Sequence, residues 1–196
     1  MADFIPPVRT AEHALAQLRY IRSIIDGASR FTAVPGTGIV LMGVSALVAA
    51  VFAHTQTHET MLLVWACEAV LALAIGLVAL LLETRRVGVV LAQGSARTFL
   101  LALVPSGICA AALSAALAVH GHTSLIPAVW LTGYGTGVIA AGAHSVPAVP
   151  VMGALFVVSG LIALVLPPEH HNALLAVAFG GIHVVVGIFI ARHHGS

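Results

Sequence analysis

MLLVWACEAVLALAIGLVALLL, residues 61–82, followed at once by Glu83-Thr84-Arg85-Arg86, is the stretch on which the reading of this chain turns. Its 22 residues hold a single charged group, Glu68. As a helix rising about 1.5 Å per residue, such a run reaches across a hydrocarbon core of about 30 Å. The two arginines behind it are the flank expected of a cytoplasmic membrane boundary.

Working outward, comparable apolar runs lie at 37–53, 98–119, 124–143, 150–166 and 173–191, which with 61–82 makes six spans. The first and fifth are short. Of the 196 residues, 60% are hydrophobic and 8% are charged, against about 25% charged in an ordinary soluble domain. A water-soluble fold cannot cover that much apolar surface. We therefore expect an all-α, polytopic integral membrane bundle of about six transmembrane helices in three hairpins, preceded by an amphipathic helix. The segments are a cytoplasmic or interfacial helix at 1–33, the six-helix domain at 34–192 and a short cytoplasmic tail at 193–196.

The cations agree with this count independently. All eight are arginines: Arg9, Arg19, Arg22 and Arg30 precede the first span, Arg85, Arg86 and Arg97 separate the second from the third, and Arg192 follows the sixth. Six spans put every one on the same side, and cytoplasmic loops are the ones that retain Arg and Lys. An odd number of spans would destroy the segregation. Both termini are thus expected inside, at the bacterial inner membrane, with the first span serving as its own uncleaved insertion signal.

Ahead of that span, Leu15, Leu18, Ile21, Ile25 and Ala28 recur at three- and four-residue spacing opposite Glu12, Arg19, Arg22 and Asp26. Such a stripe suits either a helix lying in the membrane interface or one packed on the inner loops. A formal charge of +1 with no basic stripe beyond the membrane flanks argues against nucleic acid. The expected surroundings are the lipid bilayer and either a second copy or a partner membrane protein. Cys67 and Cys109 fall within apolar runs, where packing is the expected role.

Glu68 is the only Asp, Glu, Lys or Arg inside a span. Carrying an ionisable group into hydrocarbon costs about 2.5 to 3.5 kcal/mol even on the lenient insertion scale, so such residues usually face a cavity or a partner. His183 sits near the middle of the sixth span and Tyr134 at comparable depth in the fourth. All three belong to the even-numbered spans. Were those spans adjacent, a carboxyl, an imidazole and a phenol would form one buried polar cluster. It would serve either to pass a proton or grip a solute, or simply to clasp helices together.

His54, His58, Glu59, His120, His122, Glu169, His170 and His171 fall in or beside the three outer loops. Imidazole with carboxylate suits a borderline metal, yet no loop has spaced ligands, and incidental solvated histidines are the favoured reading. No cofactor is expected: paired haem ligation needs a second mid-membrane histidine, whereas His144 lies at the inner edge of the fourth span. Close helix approach is expected from Gly133 and Gly137 and from glycines in the other spans. Pro105 interrupts the third span and would free a carbonyl. Offsetting the chain by 114 residues aligns 44–49 with 158–163 and Trp65 with Phe179, the pattern of a faint internal repeat.

An enzyme is not expected. Gly133-Tyr134-Gly135-Thr136-Gly137 with His183 loosely resembles a rhomboid intramembrane protease, but the serine nucleophile is missing and Thr136 would have to replace it. A broader resemblance covers most of the chain from Arg19 onward. The stretches Phe31-Thr32-Ala33-Val34-Pro35-Gly36, Trp65-Ala66-Cys67-Glu68-Ala69, Trp130-Leu131-Thr132-Gly133-Tyr134-Gly135, Val149-Pro150-Val151-Met152-Gly153 and Phe179-Gly180-Gly181-Ile182-His183 carry it. On these the chain resembles a family of small uncharacterised six-helix bacterial inner-membrane proteins. The resemblance implies a bacterial source and, since the family's genes often sit beside a winged-helix regulator, an inducible role. It implies no activity. The expected function is transport or sensing of a small solute or proton through the buried cluster, with a structural or accessory membrane subunit as the alternative.

Overall fold

The computed structural model describes His13 and residues 15–18, 34–86, 94–143 and 145–193, with the backbone alone at 94–96. It divides into two units, Met1–Arg30 and Phe31–Ser196. In the first, the described residues are helical and exposed. The rest of the expected amphipathic stripe lies outside the described residues, as do His144 and His194.

The second unit is an all-α bundle of six apolar helices. They are α1 (Gly36–Ala53), α2 (His58–Arg86), α3 (Gly94–Val119), α4 (Ile126–Gly142), α5 (Ala148–Ala163) and α6 (Pro168–His193). Five are long and apolar enough to cross a membrane, counting the 3-10 turn Thr123–Leu125 that leads into α4, while α5 has only 16 residues. The fifth expected span is thus short as a helix too. The first, at 18 residues, just suffices.

Local chemistry sets several boundaries. Thr57 opens α2, its Oγ1 accepting the Thr60 amide at 3.4 Å. Pro127 occupies the first turn of α4, where a missing N–H is harmless. The end of α3 is closed by Gly121 at φ +76°, with the amides of His122 and Gly121 turned back onto the carbonyls of Leu117 and Ala118 at 2.8 and 3.2 Å. That reversal needs a left-handed residue, and glycine adopts it without strain.

Helix association in lipid gains nothing from expelling water, so it depends on close packing. The closest backbone approaches cross between hairpins. On α1 and α6, Gly36 faces Gly187 and Gly43 faces Gly180; on α4 and α5, Gly135 faces Gly153, and Gly160 meets Ala128. A β-carbon on Gly135 or on Gly153 would stand 2.7 Å from the other's carbonyl oxygen. In each seam the glycines repeat every seven residues, which holds them on one face of an antiparallel helix pair. Gly133 and Gly137, four apart, instead receive Ala110 and Ser106 of α3, and Gly76 of α2 receives Met42 of α1.

The architecture that results has α2 flanking α1 and α3 flanking α4, with the α1–α6 and α4–α5 pairs joined through α5 and α6. Arg85, Arg86, Arg97 and Arg192 lie at the end opposite the turns at 54–57, 120–122 and 164–167, and all four are exposed. The flanking helices are the least covered. None of the 23-residue apolar stretch of α3 is buried. Cys67 and Cys109, whose expected role is packing, are both exposed on these flanking helices.

α6 is not uniform. Residues Ala176–Ile182 form a π-helical stretch between α-helical His171–Leu175 and His183–His193. Wide turns of this kind recur at functional sites in helical proteins.

Candidate functional site

Tyr134 and His183 meet. The wide turn of α6 brings His183 to face α4, and its Nε2 lies 2.7 Å from the Tyr134 hydroxyl. The other ring nitrogen, Nδ1, lies 2.7 Å from the Phe179 carbonyl oxygen, four residues back. A carbonyl only accepts, so Nδ1 carries the hydrogen. In the neutral imidazole Nε2 then accepts, and the Tyr134 hydroxyl donates to it. Both ring nitrogens are satisfied, as a histidine only 2% exposed requires.

Aromatic rings enclose the pair. Phe156 stands edge-on to Tyr134 at 4.8 Å between centroids, and Phe179 stacks on His183 at 6.1 Å. Phe179 also reaches Trp65 of α2 at 6.1 Å. Small residues beneath let these rings converge: Gly135 and Gly180 bring the helices together on either side of Tyr134 and His183.

Glu68 does not join that hydrogen-bonded pair. It is 7% exposed and its Oε1 accepts from the Ser45 hydroxyl of α1 at 2.7 Å. The same hydroxyl is 2.9 Å from the Met42 carbonyl. One hydroxyl proton serves one acceptor at a time, so this end of the carboxyl is only part-satisfied. Its second oxygen makes no hydrogen bond among the described residues.

A cavity of about 500 Å³ nevertheless brings the three together, since Glu68, Tyr134 and His183 all line it. Met42 and Ala46 of α1 and Ala110 and Ala111 of α3 complete much of the wall. Ala69, Val70 and Leu73 of α2 and Gly107 and Ala111 of α3 are both lining and exposed. The mouth therefore lies between α2 and α3, on the bundle's side. The volume falls in the range of small-molecule sites, about 300 to 1,000 Å³, and the mostly apolar wall with a few polar groups fits that class.

Asn172 is a polar residue that sequence reasoning passed over. Its Oδ1 accepts from the Trp65 indole N–H at 2.9 Å, and its Nδ2 donates to the Ala50 carbonyl at 3.0 Å. Ala50 is in the last turn of α1, where carbonyls lack helical partners. Asn172 thereby ties α1, α2 and α6 together beside the cavity. It is the chain's only asparagine, which was the available signal.

The histidines of the turns part company. His54, His120, His122 and His170 are exposed, whereas His171 is buried and His58 half-buried, their rings 6.0 Å apart. His171 Nε2 donates to the Leu166 carbonyl at 3.0 Å. Among the described residues no three His, Cys, Asp or Glu side chains are grouped as metal ligands. Thr136 is exposed, its hydroxyl donating to the Gly133 carbonyl at 3.0 Å, and His183 is engaged by Tyr134 instead. Neither family models, nor curated proteins, nor solved structures give a match to this chain.

Proposed function

We propose that this chain is a non-enzymatic bacterial inner-membrane protein, its termini and arginines cytoplasmic, that binds a small solute or proton in the cavity beneath α2 and α3 for transport or sensing. The observation that carries the reading is the convergence of Glu68, Tyr134 and His183 on one cavity of about 500 Å³. Helices clasped merely for packing would bury their polar groups against one another and leave no room between them. Here a part-satisfied carboxyl shares one open space with aromatic and imidazole side chains. The resemblance to small six-helix inner-membrane proteins is consistent with this and adds no activity to it.

The test has two arms. After Cys67→Ala and Cys109→Ala, a cysteine at Ala111 should react with a membrane-permeant thiol reagent and be shielded by an occupying ligand. In proteoliposomes, proton-linked signals should fall in both Glu68→Gln and His183→Ala. Signals that survive both substitutions would sink the cavity as the working site.

A second reading, a structural or accessory subunit, draws on α3, whose apolar stretch has no fully buried residue. It expects a second membrane polypeptide, or a second copy, to co-purify at fixed ratio and to protect α3 residues from labelling.

A further inference from the structure

Building on the reading of the cavity as a binding site, we infer that its ligand is a lipophilic organic cation, admitted from the bilayer through the gap between α2 and α3. The first ground is charge. Glu68 is the only charged side chain on the lining, and no Lys or Arg is among the residues that form it. The described arginines stand at the helix ends. A buried carboxylate without a cation is costly, so the site is complete only when a proton or a cationic ligand supplies the positive charge.

The second ground is the aromatic lining. Trp65, Trp130, Tyr134 and Phe179 all line the same space as Glu68. Aromatic faces carry negative charge density and attract cations within about 6 Å, most strongly where water is excluded. The third ground is the hydrogen-bond inventory. The Trp65 N–H is taken by Asn172, the His183 Nδ1–H by Phe179, the Tyr134 O–H by His183 and the Ser45 O–H by Glu68 or Met42. What remains toward the cavity is dominated by acceptors and π-faces. An anionic or strongly hydrogen-bond-accepting ligand would find only Trp130, and Glu68 when it is protonated, to donate to it.

The route follows from the mouth. It is flanked by exposed Val70 and Leu73 on α2 and by Gly107 on α3, where a β-carbon would meet nothing within 4 Å. A ligand dissolved in hydrocarbon reaches Glu68 without crossing a polar barrier. Cation and proton then compete for one carboxyl. The groups facing Glu68 are Ser45 from α1 and, across the cavity, Tyr134 from α4 and His183 from α6, while α3 contributes no titratable side chain to the lining. Neutral His183 does not repel the cation, and its protonation would.

The chain's two tryptophans, Trp65 and Trp130, both line the cavity, so intrinsic fluorescence reports on occupancy. Full-length protein in nanodiscs is titrated with tetraphenylphosphonium, neutral triphenylphosphine oxide and anionic tetraphenylborate. Tetraphenylphosphonium should change the emission saturably, release a proton for each cation bound in weakly buffered solution, and bind more tightly as pH rises. Glu68→Gln should weaken it roughly tenfold or more and abolish proton release, while Glu68→Asp retains both in part. Trp130→Leu should weaken the cation more than the neutral probe. Equal binding of neutral probe and cation, or cation binding unchanged by Glu68→Gln, overturns the inference and leaves the cavity reading standing. No binding of any probe, with Ala111→Cys reactive, likewise overturns the cation inference alone. No binding and no labelling overturn both.

Discussion

At the scale of single residues, the site's polarity is carried by two separate arrangements with different tolerances. Tyr134 and His183 form a closed circuit: phenol to imidazole, imidazole to the Phe179 carbonyl. Tyr134→Phe keeps the ring against Phe156 and removes the donor to Nε2. It should cost about 1 kcal/mol, the usual scale of a hydrogen bond between membrane helices, read as a lowered unfolding midpoint in detergent with helicity intact. No change would show that another donor replaces the phenol. Glu68 belongs to an open arrangement, its carboxyl resting on Ser45 alone, and Ser45→Ala should accordingly leave the fold intact while altering how readily Glu68 exchanges its proton.

That Glu68, Tyr134 and His183 matter was legible in the sequence, since polar residues within apolar runs stand out. Their separation into a pair and a single carboxyl was not, because it depends on which helices are neighbours. Asn172 was missed for a related reason. It sits where the sixth span meets its loop, and an asparagine beside two histidines reads as solvated until Trp65 and Ala50 are seen on either side. Asn172→Leu removes both partners at once. A loss of about 1 to 2 kcal/mol, accompanied by altered Trp65 emission, is expected, and unchanged fluorescence would place the indole N–H elsewhere.

Among the helices, the glycine seams decide which elements pair. The four-residue spacing of Gly133 and Gly137 is conspicuous in the sequence and packs α4 on side chains of α3; the seven-residue series on α1, α6, α4 and α5 is less so and governs the backbone-to-backbone contacts. Gly135→Ala would push a methyl into the backbone of α5, and overpacking of this kind costs about 1 to 3 kcal/mol. Gly107→Ala enters open space. Since alanine is the better helix former by up to about 1 kcal/mol, it should leave stability unchanged or raise it. Paired unfolding measurements check both signs, and equal effects would mean that the α4–α5 seam is looser than its geometry.

For the molecule as a whole, the number of helices and their apolar character were recoverable from residues 34–193 alone, because length and hydropathy are local properties. The arginines add a sidedness that hydropathy cannot supply. With Cys67 and Cys109 replaced by alanine, cysteines at Thr55 and His122 should react with impermeant maleimide in intact cells, and one at His193 only after permeabilisation. The reverse pattern would invert the orientation. What no local property reveals is the arrangement that leaves α2 and α3 apart with a cavity between them. That depends on α1 choosing α6, and α4 choosing α5, as partners.

The wide turn of α6 has a consequence for how this chain can change over generations. From Gly43 to Ala50, α1 advances seven residues, whereas α6 uses eight between Gly180 and Asn172, which face them. The π-helical stretch absorbs the additional residue, much as an inserted letter is hidden by a stretched line of type. Excising one residue there, for instance Val177, would restore a regular helix and turn one part of α6 against the other by about 100°. Either the Asn172 tie or the His183–Tyr134 pair would be lost. Descendants of this sequence can exchange most of the apolar letters of α6, but insertions and deletions in 172–183 meet a reading frame imposed by geometry.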